Sequence, residues 1–213
     1  MKRNLLLAII IAVLCMSAGC AAQKAKPQEQ VQNKQPVAEK PAGQIMSDYF
    51  PLSVGSLWVY QGEGNEYASF SREVLFNKGN RAQIREDNGG TVSAMIFEVT
   101  DNAVTRIYNQ AEMYDRNNLL DLKPNDNTVI LKGPLDVGTK WNETGGQREI
   151  VDTNAAVDTP LGVFDKCVKV KITGQHSTVF EYFKREVGMV KREFFSEGNE
   201  VSSVLKEFNK GGK

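Results

Sequence analysis

Residues 81–100, RAQIREDNGGTVSAMIFEVT, carry the clearest structural signal in this chain. Their centre, the tetrapeptide DNGG at 87–90, is a strong hairpin signal, because Asn and Gly tolerate the positive φ angles of tight hairpin turns. Before the turn, Ala82 and Ile84 alternate with polar residues, which predicts a strand with one buried face. The segment therefore predicts two antiparallel strands joined by a tight turn.

Short segments that resemble strands, separated by turn residues, continue on both sides of this hairpin. No window shows a sustained helical period, and we allow a short helix or an irregular excursion only at 110–123. A flat sheet of so many strands would expose long edges, so the sheet should curl. We predict an all-β domain, a single antiparallel, strongly curved sheet or (half-)barrel of about ten strands, from the runs 56–60, 67–76, 81–86, 91–100, 103–108, 128–132, 147–152, 163–173, 178–184, 189–195 and 201–208.

One pattern occurs twice in the chain. PLSVGSLW at 51–58 returns as PLDVGTKW at 134–141. Each copy combines a turn that starts with Pro, a Gly that permits a tight bend, and a strand with one of the two Trp residues. The repeat predicts two similar β halves packed in one domain. Buried Trp side chains would fill the core; alternatively, Trp58 and Trp141 form aromatic platforms for a ligand.

The N-terminal part of the chain differs from the rest. Two basic residues precede an apolar run at 5–16, whose length is typical of a signal peptide rather than a membrane-spanning helix. The following residues are rich in Gln, Lys and Pro and lack aromatic side chains, which predicts a disordered tether. We divide the chain into a lipoprotein signal peptide (1–19), a lipidated Cys20 with its tether (20–44) and a β-rich globular domain (45–213).

The residues MSAGC, which end at Cys20, resemble the bacterial lipobox. The resemblance implies that the Cys20 thiol is diacylated and the preceding peptide bond cut, which anchors the protein at the extracytoplasmic face of the cell membrane. Each acyl chain contributes about 0.8 kcal/mol of membrane-binding free energy per buried CH₂, so two or three chains anchor the protein stably. Ser17 stands where Leu is commonest in the pattern. The alternatives are an uncleaved anchor extending to Ala22 and lipidation of Cys15, which the bulky Leu14 disfavours.

The β-rich part is similar to a secreted domain found in lipoproteins of Gram-positive bacteria. The residues that carry this resemblance are DYFPL at 48–52, WVY at 58–60, VGTKW at 137–141, TPLGVFDKCVKV at 159–170 and VGMVKRE at 187–193. Some proteins of that family also carry a domain similar to the amino-terminal part of copper amine oxidases. The family has no assigned activity, so the resemblance implies a fold and a location but no catalytic residue.

A search for catalytic or metal-binding patterns is negative. The chain has one His, His176, in a predicted turn and without Cys or carboxylate at ligand spacing. Beyond Cys20, the one remaining thiol is Cys167; alternation places it on the face opposite Val168, and a bulge would turn it inward. The oxygen-rich loop at 121–127 lacks the spacing of a calcium site. We therefore expect no enzyme activity, no metal and no cofactor.

Two functional hypotheses follow. In the first, the protein is a non-catalytic binding module, and the curved sheet encloses a groove for an apolar, peptide or cell-wall ligand, lined by Trp58, Tyr60 and Trp141. In the second, it is a structural or protein-interaction domain of the cell envelope with a closed core. The 26 basic and 26 acidic residues balance, which argues against nucleic-acid binding. The basic residues at 184–185 and 191–192 predict a small basic rim beside one hairpin.

Overall fold

The computed structural model describes residues 46–212, and these form an antiparallel β-sheet with one short helix. The predicted signal peptide, Cys20 and the tether lie outside the described residues. The elements are α1 (Met46–Tyr49), β1 (Leu57–Glu63), β2 (Phe70–Lys78), β3 (Arg81–Asp87), β4 (Val92–Val99), β5 (Ala103–Gln110), β6 (Thr128–Lys132), β7 (Lys140–Glu143), β8 (Gly146–Thr159), β9 (Gly162–Gly174), β10 (Thr178–Lys184), β11 (Gly188–Ser196) and β12 (Asn199–Asn209).

The twelve strands form one sheet in the order β6-β5-β4-β3-β2-β1-β12-β11-β10-β9-β8-β7. Every neighbouring pair is antiparallel, and the two edge strands, β6 and β7, follow one another in the chain. The short link at 133–139 therefore holds opposite edges of a wide sheet together, which requires the sheet to curl into a nearly closed barrel. The predicted all-β, strongly curved sheet is confirmed. The strand missing from the predicted runs is β7, which has only four residues.

The two copies of the repeated pattern have the same backbone geometry. Gly55 and Gly138 both adopt positive φ at the third position of a turn closed by a backbone hydrogen bond. Each glycine N–H donates to the carbonyl of the second strand of its half, Val74 or Ile150, over 2.9 and 2.8 Å. The halves β1–β6 and β7–β12 are thus two six-stranded meanders that begin in the same way, as the repeat predicts.

Side chains close the seam between β6 and β7, because no backbone ladder joins these strands. The Trp141 Nε1–H donates to the Val129 carbonyl over 2.8 Å, and Arg148 donates to the Ile130 carbonyl over 3.3 Å. Both acceptors belong to β6, whereas Trp141 lies on β7 and Arg148 on β8. The edge carbonyls of β6 are therefore engaged inside the fold.

The interior of the sheet is filled by the side chains of the protein. Residues from both halves form one apolar core, with Ile84, Leu131, Ile150, Phe183 and Leu205 almost completely buried. Helix α1 brings Met46 and Phe50 into this core at one end of the barrel, the plugged end. The opposite end, where the turns at 64–69, 88–91, 144–145 and 174–177 lie, is called the mouth.

Two segments cover the outer face of the sheet. Residues 111–127 pack over β3–β5, and the buried Gln83 side chain bonds the backbone of Asn117 and Leu119 in this segment. This is the predicted excursion, and it contains no helix. The second cover is the far part of the β8–β9 hairpin, which contacts β11 and β12. Register shifts between Asp152 and Ala155 let β8 bend in this way.

Candidate functional site

An inner polar layer lies between the apolar core and the mouth. It consists of inward-facing charged residues, each placed one to three positions closer to the mouth than a core residue of the same strand. Arg72 precedes the core residue Val74 in β2, for example, and Glu181 precedes Phe183 in β10. The members of the inner polar layer are Arg72, Glu86, Arg106, Arg148, Glu181 and Arg192.

Glu181 is the centre of this layer. Its Oε2 accepts a hydrogen bond from Arg148 Nη1 over 2.9 Å, and its Oε1 accepts from Arg192 Nε over 3.1 Å and lies 3.0 Å from Arg192 Nη2. The Glu181 and Arg148 side chains are only 6% and 7% exposed. One carboxylate therefore links two guanidinium groups from strands that lie on opposite sides of β10 in the sheet.

Three arginines of the layer also pair with a carboxylate other than Glu181. Arg72 Nε donates to Glu86 over 2.6 Å, and Arg148 Nε donates to Glu143 over 2.6 Å. Arg106 Nε donates to Asp126, which belongs to the covering segment 111–127. The Arg72 and Arg192 guanidinium groups also lie 5.2 and 5.7 Å from the centre of the Phe70 ring, within cation–π range.

The carboxylates of the layer are held in their ionised form. Burial by itself would raise the pKa of Glu181, but Arg148 and then Arg192 outweigh it and lower that pKa from 4.5 to about 2. Burial likewise opposes ionisation of Glu86, whose pKa is lowered by Arg72 and Arg192. Because both groups stay charged at neutral pH, the layer is a fixed ion-pair network and not an acid–base pair.

This network predicts a specific loss of stability in acid. The lowered pKa means that ionised Glu181 stabilises the fold fully above its ordinary pKa of 4.5, and that this contribution is lost as the pH falls towards 2. We expect the melting temperature of the purified protein to fall steeply over that range. The Glu181→Gln variant should start lower at neutral pH and show a flatter decline. Parallel curves for the two proteins would contradict the prediction.

The inner polar layer borders a small cavity of about 60 Å³. The charged groups on its wall are the guanidinium groups of Arg72, Arg106, Arg148 and Arg192 and the carboxylate of Glu181. The partner carboxylates of Glu86, Asp126 and Glu143 do not line it. Apolar core side chains, among them Phe183, form the floor. The wall therefore presents mainly positive charge.

The predicted lining residues lie in the core. Trp58, Tyr60 and Trp141 are 5%, 2% and 6% exposed. The Trp58 Nε1–H donates to the Val187 carbonyl over 2.6 Å, and the Tyr60 hydroxyl donates to the Met189 carbonyl over 2.8 Å. Trp58 and Tyr60 border a cavity of about 20 Å³, which is room for about one water molecule, whereas Trp141 fills the seam. A ligand-lining role for these residues stays a prediction.

Cys167 is fully buried beneath the β8–β9 hairpin, next to Lys166, which adopts a positive φ of 49°. Cys167 pairs with Ala155 of β8 and belongs to the apolar core together with Val157, so its side of β9 is covered here although Lys169 and Lys171 follow at the same spacing. Burial raises the pKa of the Cys167 thiol to about 11; Lys184 opposes this increase, and Asp165 adds to it. Its Sγ lies 3.5 Å from the Phe164 carbonyl.

We therefore expect Cys167 to be unreactive in the folded protein. A thiol reagent at pH 8 should modify it at least 100-fold more slowly than in denaturant, because the thiolate is scarce and access requires opening of the hairpin. The Cys167→Ser variant supplies the blank for any other thiol in the preparation. Equal rates in the folded and denatured protein would contradict this burial.

The other predicted features form ordinary internal contacts. His176 lies in the β9–β10 turn, where its carbonyl accepts a hydrogen bond from Ser196. Within residues 46–212, no three His, Cys, Asp or Glu side chains form a cluster able to hold a metal. The same part of the chain contains no helix long and apolar enough to cross a membrane. The predicted basic rim is wrong for Arg192, which points into the barrel, and Lys191 pairs with Glu193.

The inner polar layer did not emerge from the sequence, although a signal for it exists. In three segments a charged residue lies two positions from a core residue, and therefore on the same face of its strand. They are FSREV at 70–74, REI at 148–150 and EYF at 181–183. A single charge in a strand ordinarily indicates the solvent face, so none of these residues by itself predicts an interior position. Only the strand order shows that these residues meet inside the sheet.

Comparisons with known proteins add two structural neighbours. A Bacteroides fragilis NCTC 9343 protein described as exported, with a YmcC-like fold, matches 76% of this chain and 99% of its own, at 14% identity and a TM-score of 0.45. A Parabacteroides distasonis ATCC 8503 protein described as a lipoprotein matches 76% of this chain and 98% of its own, at 16% identity and a TM-score of 0.44. No protein-family model and no curated protein matches the chain.

Neither neighbour links the chain to Gram-positive bacteria or to copper amine oxidases. That part of the resemblance stays a prediction. At this similarity, the neighbours carry no argument about ligand or activity. The function must therefore be argued from the residues themselves.

Proposed function

We propose that this chain is a lipid-anchored extracytoplasmic protein whose β domain acts as a non-catalytic binding module with a closed core. The observation that carries the proposal is the filled interior of the sheet. The interior cavities of about 20 and 60 Å³ are far below the roughly 300–1,000 Å³ of typical small-molecule pockets. A partner must therefore be recognised at the mouth or on the outer surface, and not by enclosure of an apolar ligand.

The chemistry of the domain supports a non-catalytic role. The chain has a single His, and Cys167 is a buried thiol with a raised pKa, so the described residues offer no activated nucleophile with its base. The buried carboxylate of Glu181 is fixed as an anion between two arginines and has no proton to give at neutral pH. The domain is therefore suited to recognition.

Anchoring through Cys20 is tested by mass and location. We expect the mature protein to begin at Cys20, to carry the diacylglyceryl mass increment and to sediment with membranes. The Cys20→Ala variant should lose both properties, whereas Cys15→Ala, the matched control, should keep them. A mature wild-type species without the lipid mass, or a Cys15→Ala variant that loses the anchor, would overturn the proposed anchoring.

Recognition at the surface is tested by crosslinking in intact cells. We expect the wild-type protein to be captured with an envelope component that contacts residues near the mouth, such as Asn199 at the start of β12. A photo-crosslinker at Gly79, in the β2–β3 turn near the plugged end, is the control and should capture less. Capture confined to Gly79 would contradict recognition at the mouth. Lipid co-purifying within the domain without any crosslinked partner would contradict a closed-core binding module.

A further inference from the structure

We propose that the inner polar layer is a binding site for one compact oxyanion group, namely a carboxylate, phosphate or sulfate. This inference rests on the binding function proposed above and names the chemistry that the mouth recognises. Four arginines line one small cavity. Such a convergence of arginines is the arrangement by which proteins hold planar or tetrahedral anions.

Charge is the first argument for this assignment. Arg72, Arg106, Arg148 and Arg192 contribute four positive charges to the cavity wall, and Glu181 contributes one negative charge. The carboxylates that balance the other arginines bind from the peripheral side through Nε. The network as a whole is charge-balanced, because Glu86, Asp126, Glu143 and Glu181 pair with the four arginines. Only Glu181 of these carboxylates lines the cavity, so an anion inside would lie closer to the arginines than to their other partners.

Free donors are the second argument. Arg72 and Arg106 each use Nε for an internal carboxylate. Within residues 46–212, their terminal Nη atoms donate no hydrogen bond to the protein, and they reach solvent, because no buried side-chain nitrogen in this range lacks a partner. Each guanidinium therefore keeps part of its planar fork available for a bidentate contact. An oxyanion bound between the two would replace the water at these donors with charge-assisted hydrogen bonds.

Size and access are the third argument. A cavity of about 60 Å³ has room for about four water molecules, which matches a carboxylate, phosphate or sulfate group but not a sugar ring or an acyl chain. The Arg192 and Arg106 side chains are 33% and 27% exposed, whereas Arg148 is 7% exposed. Solvent therefore reaches the layer at Arg192 and Arg106 and is largely excluded at Arg148. An anionic group of a larger molecule can enter with its remainder outside the mouth.

The test is a titration of the lipidated, full mature protein in detergent micelles. Sodium sulfate, phosphate and acetate are added at constant ionic strength, with sodium chloride as the reference, and heat of binding and melting temperature are recorded. We expect saturable binding of at least one oxyanion and a rise in melting temperature that chloride does not give. The comparison of acetate with sulfate and phosphate separates a carboxylate source from a tetrahedral one.

Two variants make the test specific. Arg106→Gln should weaken oxyanion binding at least 10-fold. Arg116→Gln makes the same charge change at an exposed ion pair: the Arg116 side chain is 56% exposed, and its Nη2 lies 2.7 Å from Glu73 Oε1. This control variant should bind oxyanions like the wild type. If Arg106→Gln does not fold, the arginine side-chain NMR signals of the wild type replace it. Signals of the buried Arg148 should then shift with oxyanion and not with chloride.

The outcomes separate this inference from the proposed function. Four results would each overturn the oxyanion site. They are absent binding, a response equal to that of chloride, equal weakening by both variants, and unshifted Arg148 signals. The anchoring and crosslinking results would still stand, since neither experiment depends on an anion. Conversely, if the mature wild-type protein isolated from cells carried no lipid but still bound an oxyanion, the result would support the site and contradict the anchor.

Discussion

Replacement of Glu181 by Ala should lower the free energy of unfolding by about 3–5 kcal/mol, the usual cost of breaking a buried ion pair from one side. Glu181 accepts hydrogen bonds from Arg148 and Arg192, and its removal leaves two guanidinium groups next to the core without their common partner. Equilibrium unfolding in urea measures the effect directly. A loss of this size is comparable to a large part of the stability of an ordinary domain.

The matched control for this variant is Glu73→Ala. Glu73 also pairs with an arginine, Arg116, but on the exposed outer surface, where such pairs contribute about 0–1 kcal/mol. The two variants remove the same charge, but the ion pair of Glu181 is buried and that of Glu73 is exposed. Equal losses of stability for Glu73→Ala and Glu181→Ala would contradict the description of the inner polar layer as a buried network.

Replacement of Trp141 by Ala should cost about 3–5 kcal/mol and open the seam of the barrel. Its ring is part of the core, and its Nε1–H is one of the side-chain donors that hold β6 against β7. Beyond the loss in overall stability, we expect amide hydrogen exchange in β6 (128–132) to accelerate more than exchange in β1 (57–63). The seam should open locally, because β6 has a backbone ladder on one side only.

Trp58→Ala is the control for Trp141→Ala. Trp58 is equally buried and occupies the same place in the first copy of the repeat, but β1 is paired on both sides, by β2 and β12. This variant should lose similar stability without a selective increase of exchange in β6. If the two variants accelerate exchange in the same residues, or if Trp141→Ala costs less than about 1 kcal/mol, the seam does not depend on Trp141.

The fold was largely predictable because its turns are local signals. The predicted run 128–132 matches β6, and the hairpin at 87–90 joins β3 and β4 as its turn residues require. Helix α1 has only four residues, too few to show a period. The extension of β8 beyond residue 152 was missed because its register shifts break the alternation on which a strand is recognised.

The candidate site was less predictable because it depends on contacts between distant strands. Arg148 and Glu181 are far apart in the chain, and they meet only because β8, β9 and β10 are neighbours in a particular register. A one-residue slip of β10 would turn Glu181 to the outer face. The sequence specifies which residues share a face of each strand, but the direction of curvature decides which face becomes the interior.

Acrylamide quenching of the tryptophan fluorescence tests the filled interior most directly. Single-Trp variants, Trp58→Phe and Trp141→Phe, report on one position each while they keep an aromatic ring in the core. We expect both remaining tryptophans to be quenched far more weakly than in the urea-unfolded protein, since both side chains are buried in the described structure. Quenching of either one to the extent seen after unfolding would mean that the sheet is open to solvent, and would contradict the closed core.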